Sequence, residues 1–219
     1  MVFQDRAEAG RQLAKHLDAY ANLPNVIVLG IPRGGVPVAF QVAVELRAPM
    51  DVFIVRKLGV PGHEELGFGA IASGGIRYLD HEIIGSAELS DLEIELITAK
   101  EGQELARREH AYRAGMPPVD VKGKIVILVD DGIATGASMR VAVLALRQMK
   151  PAKIVVAVPV APASTCRHLQ SDVDKLICIY KPAMFWGIGE FYADFTQVPD
   201  REVTDLLQQA QRIYVKERP

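Results

Sequence analysis

The sequence predicts an α/β fold: a doubly wound, mainly parallel five-stranded sheet with an inserted loop-and-helix segment and a C-terminal aromatic hood. Three observations predict it. Five short runs rich in β-branched residues, VIVLG (26–30), DVFIV (51–55), KIVILVD (124–130), KIVVAVPVA (153–161) and KLICIY (175–180), have the character of strands buried on both faces. Helical stretches separate them where parallel neighbours require crossovers. Hydrophobic residues make up 49% of the 219 and charged residues 24%, the balance of a globular chain that buries roughly 70% of its unfolded surface.

The elements follow in order. Asp5, with Glu8 three residues on, opens a first helix by offering its carboxylate to a free backbone N–H. VIVLG is the first strand, and VPVAFQVAVELR carries the chain across to DVFIV. From 56 to 120 the β/α rhythm breaks. Residues 57–75 hold Gly59, Gly62, Gly67, Gly69, Gly74 and Gly75, a composition suited to a mobile lid. A long helix then begins at the capping box Ser90-x-x-Glu93, is supported by the Glu104 and Arg108 pair, and stops at Gly115-Met-Pro-Pro. KIVILVD resumes the rhythm, ASMRVAVLALRQMK crosses over ahead of Pro151, KIVVAVPVA follows, and STCRHLQ leads to KLICIY. The tail from 181 to 205 gathers Phe185, Trp186, Phe191, Tyr192 and Phe195 as a hood. Residues 1–219 form a single domain in this reading, with 56–120 and 181–205 as additions to the sheet.

Several function classes are set aside by composition. A net charge of −2 and a pI near 6.2 give no polycationic surface, so no nucleic-acid partner is expected. No apolar run approaches the ~20 residues of a membrane span, the N-terminal MVFQDRAEAGRQ lacks a signal-peptide core, and a cytoplasmic protein without membrane contact is expected. Cys166 and Cys178 lack zinc-type spacing.

Strand polarity locates the chemistry. Ligands of open parallel sheets bind outside the carboxyl ends of the strands, and unusual residues follow four of the five: IPRGGVP, RKLGVPGHEE, DDGIATGAS and KPAMFWGIGEFYADF. In DDGIATGAS, Gly132 and Gly136 permit tight turns, and Thr135 and Ser138 bring hydroxyls to a helix start whose free amides favour an anion. Each helix-end charge interaction is worth only ~0.3 to 1 kcal/mol, so several donors must converge to hold a phosphate. Two carboxylates beside it would repel the anion unless they face a ribose diol or a divalent cation such as Mg²⁺.

The stretch Val126 to Ser138, VILVDDGIATGAS, resembles the signature of the type I phosphoribosyltransferases, departing at Gly132 where the family usually has a branched apolar residue. IPRGG (31–35) resembles that family's pyrophosphate loop, and Arg56-Lys57 the basic entry to its mobile loop. The resemblance implies an enzyme that moves the 5-phosphoribosyl group of phosphoribosyl pyrophosphate (PRPP) to a nitrogen acceptor, releasing pyrophosphate. It implies that Ala134, Thr135, Gly136, Ala137 and Ser138 hold the 5′-phosphate, and that Arg33, Gly34, Arg56 and Lys57 hold pyrophosphate. Asp130 and Asp131 would bind the ribose hydroxyls and Mg²⁺, directly or through water, and act in catalysis with Arg33 and Lys57. FWGIGEFYADF resembles the base-binding hood of the purine-salvage branch, which implies Phe185 or Trp186 as stacker and Asp194 as reader of a small-molecule acceptor. A homodimer is compatible with this reading.

Two departures matter for the reaction. Ala134 stands where members acting on 6-oxopurines often carry an acid, and VPVAPAS lacks their lysine after the fourth strand. Either the nucleophile then needs no base or the base comes from elsewhere, with Glu64 or Glu65 as candidates, and a PRPP- or nucleotide-binding regulatory module without turnover is the alternative function. A response-regulator receiver is excluded because its paired acids lie near its own N-terminus, and GFGAIASG (67–74) has no strand-to-helix context for a Rossmann site.

Overall fold

The computed structural model describes residues 2–113, 117–118 and 120–217. Five strands make one parallel sheet: β1 (Val26–Gly30), β2 (Met50–Val52), β6 (Ile125–Val129), β7 (Lys153–Val160) and β8 (Lys175–Tyr180), in the spatial order β2-β1-β6-β7-β8. Alternation along each strand sends side chains to two layers. Val26, Val28, Ile127, Val129, Val155 and Ala157 pack under α1 (Arg6–Lys15) and α2 (Gly35–Leu46). Ile27, Leu29, Val126, Leu128, Ile154 and Val156 pack against α5 (Ala137–Gln148) and α6 (Ala163–Leu169) on the other face. The sheet is therefore doubly wound, as the continuous apolar runs predict.

Local signals hold where they are short-range. The Asp5 carboxylate accepts from the Glu8 amide at 2.7 Å and starts α1. The long helix is α4 (Asp91–Arg113), opened by a reciprocal box in which Glu93 accepts from the Ser90 amide and Ser90 accepts from the Glu93 amide. Glu104 pairs with Arg108 at 2.7 Å. The expected stop at Gly115 lies outside the described residues.

The structure corrects the sequence reading in three places. DVFIV is not one strand: Met50–Val52 belongs to the parallel sheet, whereas Val55 begins β3 (Val55–Val60) of a second, antiparallel sheet with β4 (His63–Ala72) and β5 (Ile76–Leu79). Phe53 and Ile54 are buried between the two, with Ile54 and Ser73 bonded to each other, and an apolar run does not reveal that the chain changes sheets.

Residues 57–75 are likewise not an irregular loop. Their glycines serve close strand approach and tight turns: a Cβ on Gly69 would come 2.4 Å from the Tyr78 carbonyl oxygen and one on Gly59 2.6 Å from that of Glu64, while the register shifts around Gly59. Gly62, Gly74 and Gly75 take positive φ in the connecting turns. Helix α3 (His81–Ser86) follows β5.

The third correction is a helix the sequence reading omits, α7 (Asp200–Glu217), which buries Val203, Leu207 and Ala210 against β2, α2 and α4. That i, i+4, i+7 spacing is a helical signal. Arg113 closes the arrangement by bonding Asp51 at 3.1 Å and the Val52 carbonyl at 3.0 Å, fastening α4 to the edge of the parallel sheet.

Candidate active site

The sheet order sets the position of the site. The crossover from β1 leads outward through α2 to β2, and the crossover from β6 leads the opposite way through α5 to β7. Strands β1 and β6 are neighbours, so the chain parts at their carboxyl ends and opens a crevice there. Two helix N-termini flank it, each led by a glycine with no side-chain cap, Gly34 for α2 and Gly136 for α5. At α2 the Gly35 and Val36 amides already donate to the Ile31 and Arg33 carbonyls, and at α5 the Ala137 amide donates to Thr135, so the helix dipoles and the rest of each first turn are what favour an anion there.

The loop before α5 is built for close approach. Gly136 has φ +84, and a Cβ there would come 2.9 Å from the Thr165 side chain. The Thr165 hydroxyl donates to the Ala134 carbonyl at 2.7 Å, so the start of α6 supports the loop from beneath. Ala134, Thr135, Ala137 and Ser138 are exposed above it, and Thr135 accepts from the Ala137 amide at 3.4 Å. Gly132 carries no side chain because Ile188 occupies that space: a Cβ would come 2.6 Å from Ile188 Cγ2. The hood thus fills the place of the branched residue this loop lacks.

The acidic pair lies against the first loop. A Cβ on Gly34 would come 2.0 Å from Asp131 Oδ2, and one on Gly35 2.8 Å from the Asp130 Cα, so only glycines let IPRGG pack here. Asp130 accepts from the Asp131 amide at 2.9 Å. Arg6 Nε donates to Asp131 Oδ2 at 2.8 Å, and the Tyr192 hydroxyl donates to the Asp131 carbonyl at 2.6 Å. Burial pushes the Asp130 carboxyl well above the usual carboxylate range, and the charge of Asp131 adds to that push. Burial raises Asp131 as well, but the hydrogen bond and charge of Arg6 oppose it.

The predicted basic residues divide. Arg33 stands at the loop before α2, half-exposed, 3.7 Å from Asp200. Arg56 and Lys57 are consecutive on β3 and so point to opposite faces of that strand. Arg56 is engaged by Glu101 of α4 at 2.7 Å, and the stem of Lys57 lies over Gly67. Glu64 accepts from the Gly62 amide; backbone hydrogen bonds, its own amide first, hold its carboxylate below the ordinary range, which makes it a weaker base. The side chain of Glu65 lies outside the described residues.

The aromatic tail divides too. Residues 2–4 run parallel to 191–194, with the Phe3 amide donating to Phe191 and the Ala193 amide to Phe3, both at 2.9 Å. Phe191 and Tyr192 are buried beside Phe3, and Phe185 stacks on Phe191 with centroids 5.6 Å apart. Asp194 accepts from the Thr196 amide at 3.0 Å. Trp186 is 85% exposed, and Phe195, at 36%, lies against Tyr192 and the Arg6 guanidinium. Arg6, Thr165, Ile188 and Asp200 escaped sequence reasoning because each reaches the site from a distant segment.

The comparisons decide the family. A model of the phosphoribosyl transferase domain matches residues 3–196. This chain belongs to that family. It is 42% identical over 215 residues to the "Putative phosphoribosyl transferase" of two Mycobacterium tuberculosis strains, an alignment covering 98% of this chain and 48% of the relative. The chain therefore spans about half the length of the curated relatives it matches. The solved structure of TT1426 from Thermus thermophilus is 38% identical and superposes with a TM-score of 0.85, covering 95% of this chain and 99% of that one. Among the described residues, no helix is long and apolar enough to cross a membrane.

Proposed function

We propose that this phosphoribosyltransferase-family chain transfers the 5-phosphoribosyl group from PRPP to a nitrogen acceptor with release of pyrophosphate, supported by Mg²⁺. One observation carries the reading: two glycine-led helix N-termini flank an acidic pair, Asp131 buried and Asp130 half-buried, at the switch point between β1 and β6. A ligand with phosphates at both ends of a diol matches that order of charge. The loop from Ala134 to Ser138 would receive the 5′-phosphate, with amides of the first α5 turn and the hydroxyls of Thr135 and Ser138 as donors. The loop Arg33-Gly34 would receive the pyrophosphate, Arg33 neutralising charge as the bond to the ribose carbon breaks.

Asp130 fits the ribose and metal role better than Asp131, because Asp131 Oδ2 is already engaged by Arg6. A site with one or two carboxylates suits Mg²⁺, which keeps waters and binds largely through substrate phosphates. Bound there, the ion would screen the leaving pyrophosphate. The carboxylates would orient the ribose hydroxyls and favour positive charge developing on the sugar. Lys57 and Arg56 would reach pyrophosphate from the antiparallel sheet, Arg56 on leaving Glu101.

For the acceptor, Trp186 is the proposed stacking surface, since base stacking is worth ~1 to 3 kcal/mol per ring. Phe185 and Asp194 would support it from beneath and at the rim. Because a buried carbonyl without its donor costs roughly 1 to 3 kcal/mol, a chain with Ala134 and no lysine in VPVAPAS disfavours 6-oxopurines. The absence of an acid at Ala134 also favours a second reading, a PRPP-binding module without turnover. The deciding experiment follows pyrophosphate release from PRPP with Mg²⁺ and a panel of nitrogen heterocycles and amines. Release with an acceptor other than hypoxanthine, guanine or xanthine is expected. Tight PRPP binding without release from any acceptor selects the second reading, and no PRPP binding overturns both.

A further inference from the structure

Arg6 lies outside every motif, yet its guanidinium forms an ion pair with Asp131. Its guanidinium is fixed on three sides: Nε donates to Asp131 Oδ2 at 2.8 Å, an Nη donates to the Thr196 carbonyl at 2.8 Å, and Cζ lies 4.0 Å from the centre of the Phe195 ring. The side chains of Arg6 and Asp131 are only 11% and 10% exposed. A buried bond of this kind, with both groups held by further contacts, keeps its geometry far better than a surface pair.

We propose that Arg6 is a positioning residue of the active site, holding the Asp131 carboxylate against Gly34 and offsetting its charge so that Asp130 is the carboxyl left to face the ligand. The inference rests on the PRPP reading above. The physical need is plain: PRPP is a polyanion, and two bare carboxylates at the mouth of its site would oppose it. The positions agree, since Asp131 Oδ2 is the atom both nearest the space above Gly34 and bonded to Arg6. The N-terminal segment and the tail, joined between residues 2–4 and 191–194, then act as one clamp whose working tip is Arg6. Tyr192 holds the Asp131 backbone from the same clamp.

The test is a double-mutant cycle on binding, with Arg6→Gln, Asp131→Asn and the combined variant in the full chain, and Arg6→Lys as the charge-retaining control. Dissociation constants for PRPP with excess Mg²⁺ are read by calorimetry, with melting temperatures measured alongside. Arg6→Gln is expected to weaken binding about tenfold or more in the wild-type background, as truncating one partner of a buried charge pair does, and Arg6→Lys to recover most of it. In the Asp131→Asn background the same change is expected to cost less than about twofold, because sites acting through one another are not additive. An equal loss in both backgrounds would show that Arg6 does not act through Asp131, and wild-type affinity in Arg6→Gln with only a lower melting temperature would show that Arg6 is merely structural; either overturns the proposal. Wild-type protein that binds no PRPP would instead remove the function on which the role depends.

Discussion

Arg33, the cation of the loop before α2, has its Nη1 3.7 Å from Oδ1 of Asp200 at the start of α7, and the same oxygen accepts from the Tyr112 hydroxyl at 2.9 Å. A carboxylate thus occupies the cation assigned to pyrophosphate. The pair is partly exposed, and such pairs contribute about 0.2 to 1 kcal/mol. Asp200→Asn keeps an acceptor for Tyr112 but removes the competing charge, so pyrophosphate should bind up to about fivefold more tightly. Calorimetry with inorganic pyrophosphate checks this. Weaker binding in the variant would mean that Asp200 aids the site rather than competing for Arg33.

The acidic pair should cost the free protein stability. Burial and the neighbouring charge hold the Asp130 carboxyl well above its unfolded value. A carboxyl raised in this way weakens the fold as pH climbs from the ordinary carboxylate range through the folded value, because the unfolded chain gives up the proton more easily. Asp130→Asn removes that penalty. Its melting temperature should exceed that of wild type at pH 7, by about 2 to 4 °C for each kcal/mol recovered, and the gain should vanish near pH 4. PRPP binding should fall in the same variant. A destabilised variant at pH 7 would refute the assignment of strain to this pair.

Gly132 and Ile188 should be energetically coupled. A Cβ at 132 would meet Ile188 Cγ2 at 2.6 Å and Val160 Cγ1 at 3.0 Å. Overpacking of this kind costs about 1 to 3 kcal/mol, so Gly132→Ala should unfold at lower denaturant concentration. Ile188→Ala opens the space. The combined variant should be more stable than the sum of the two single losses predicts, and strict additivity would argue that the hood yields without strain.

The β3–β4 ladder carries the fourth prediction. Arg56 pairs with Ile71 and Lys57 with Ala70 in a regular antiparallel register, whereas the pairing slips at Gly59. Amides of the regular part should be protected from hydrogen exchange in the free protein, and those of the turn at Pro61 and Gly62 should exchange fast. Rapid exchange along the whole of 57–75 without ligand would instead show that this antiparallel sheet is itself the mobile lid expected of the segment.

The sequence by itself determined what rests on neighbours in the chain. The five apolar runs, the crossover helices, the Asp5 and Ser90 caps and the acidic pair leading into Thr135 and Ser138 are short-range patterns, and backbone periodicity expresses them directly. Tertiary structure decided the rest. Glycines 59 to 75 look the same whether they loosen a loop or admit two strands at close range; only the partner backbone at Glu64 and Tyr78 distinguishes the cases. Aromatics 185 to 195 look the same whether they stack a base or fill a core, and Phe3, at the other end of the chain, settles where Phe191 and Tyr192 go. Arg6 and Asp131 lie 125 residues apart, and a charge seeking a distant partner leaves no pattern near itself. What gives Asp131 its partner is the burial of both groups at one point in space, which no local spacing encodes.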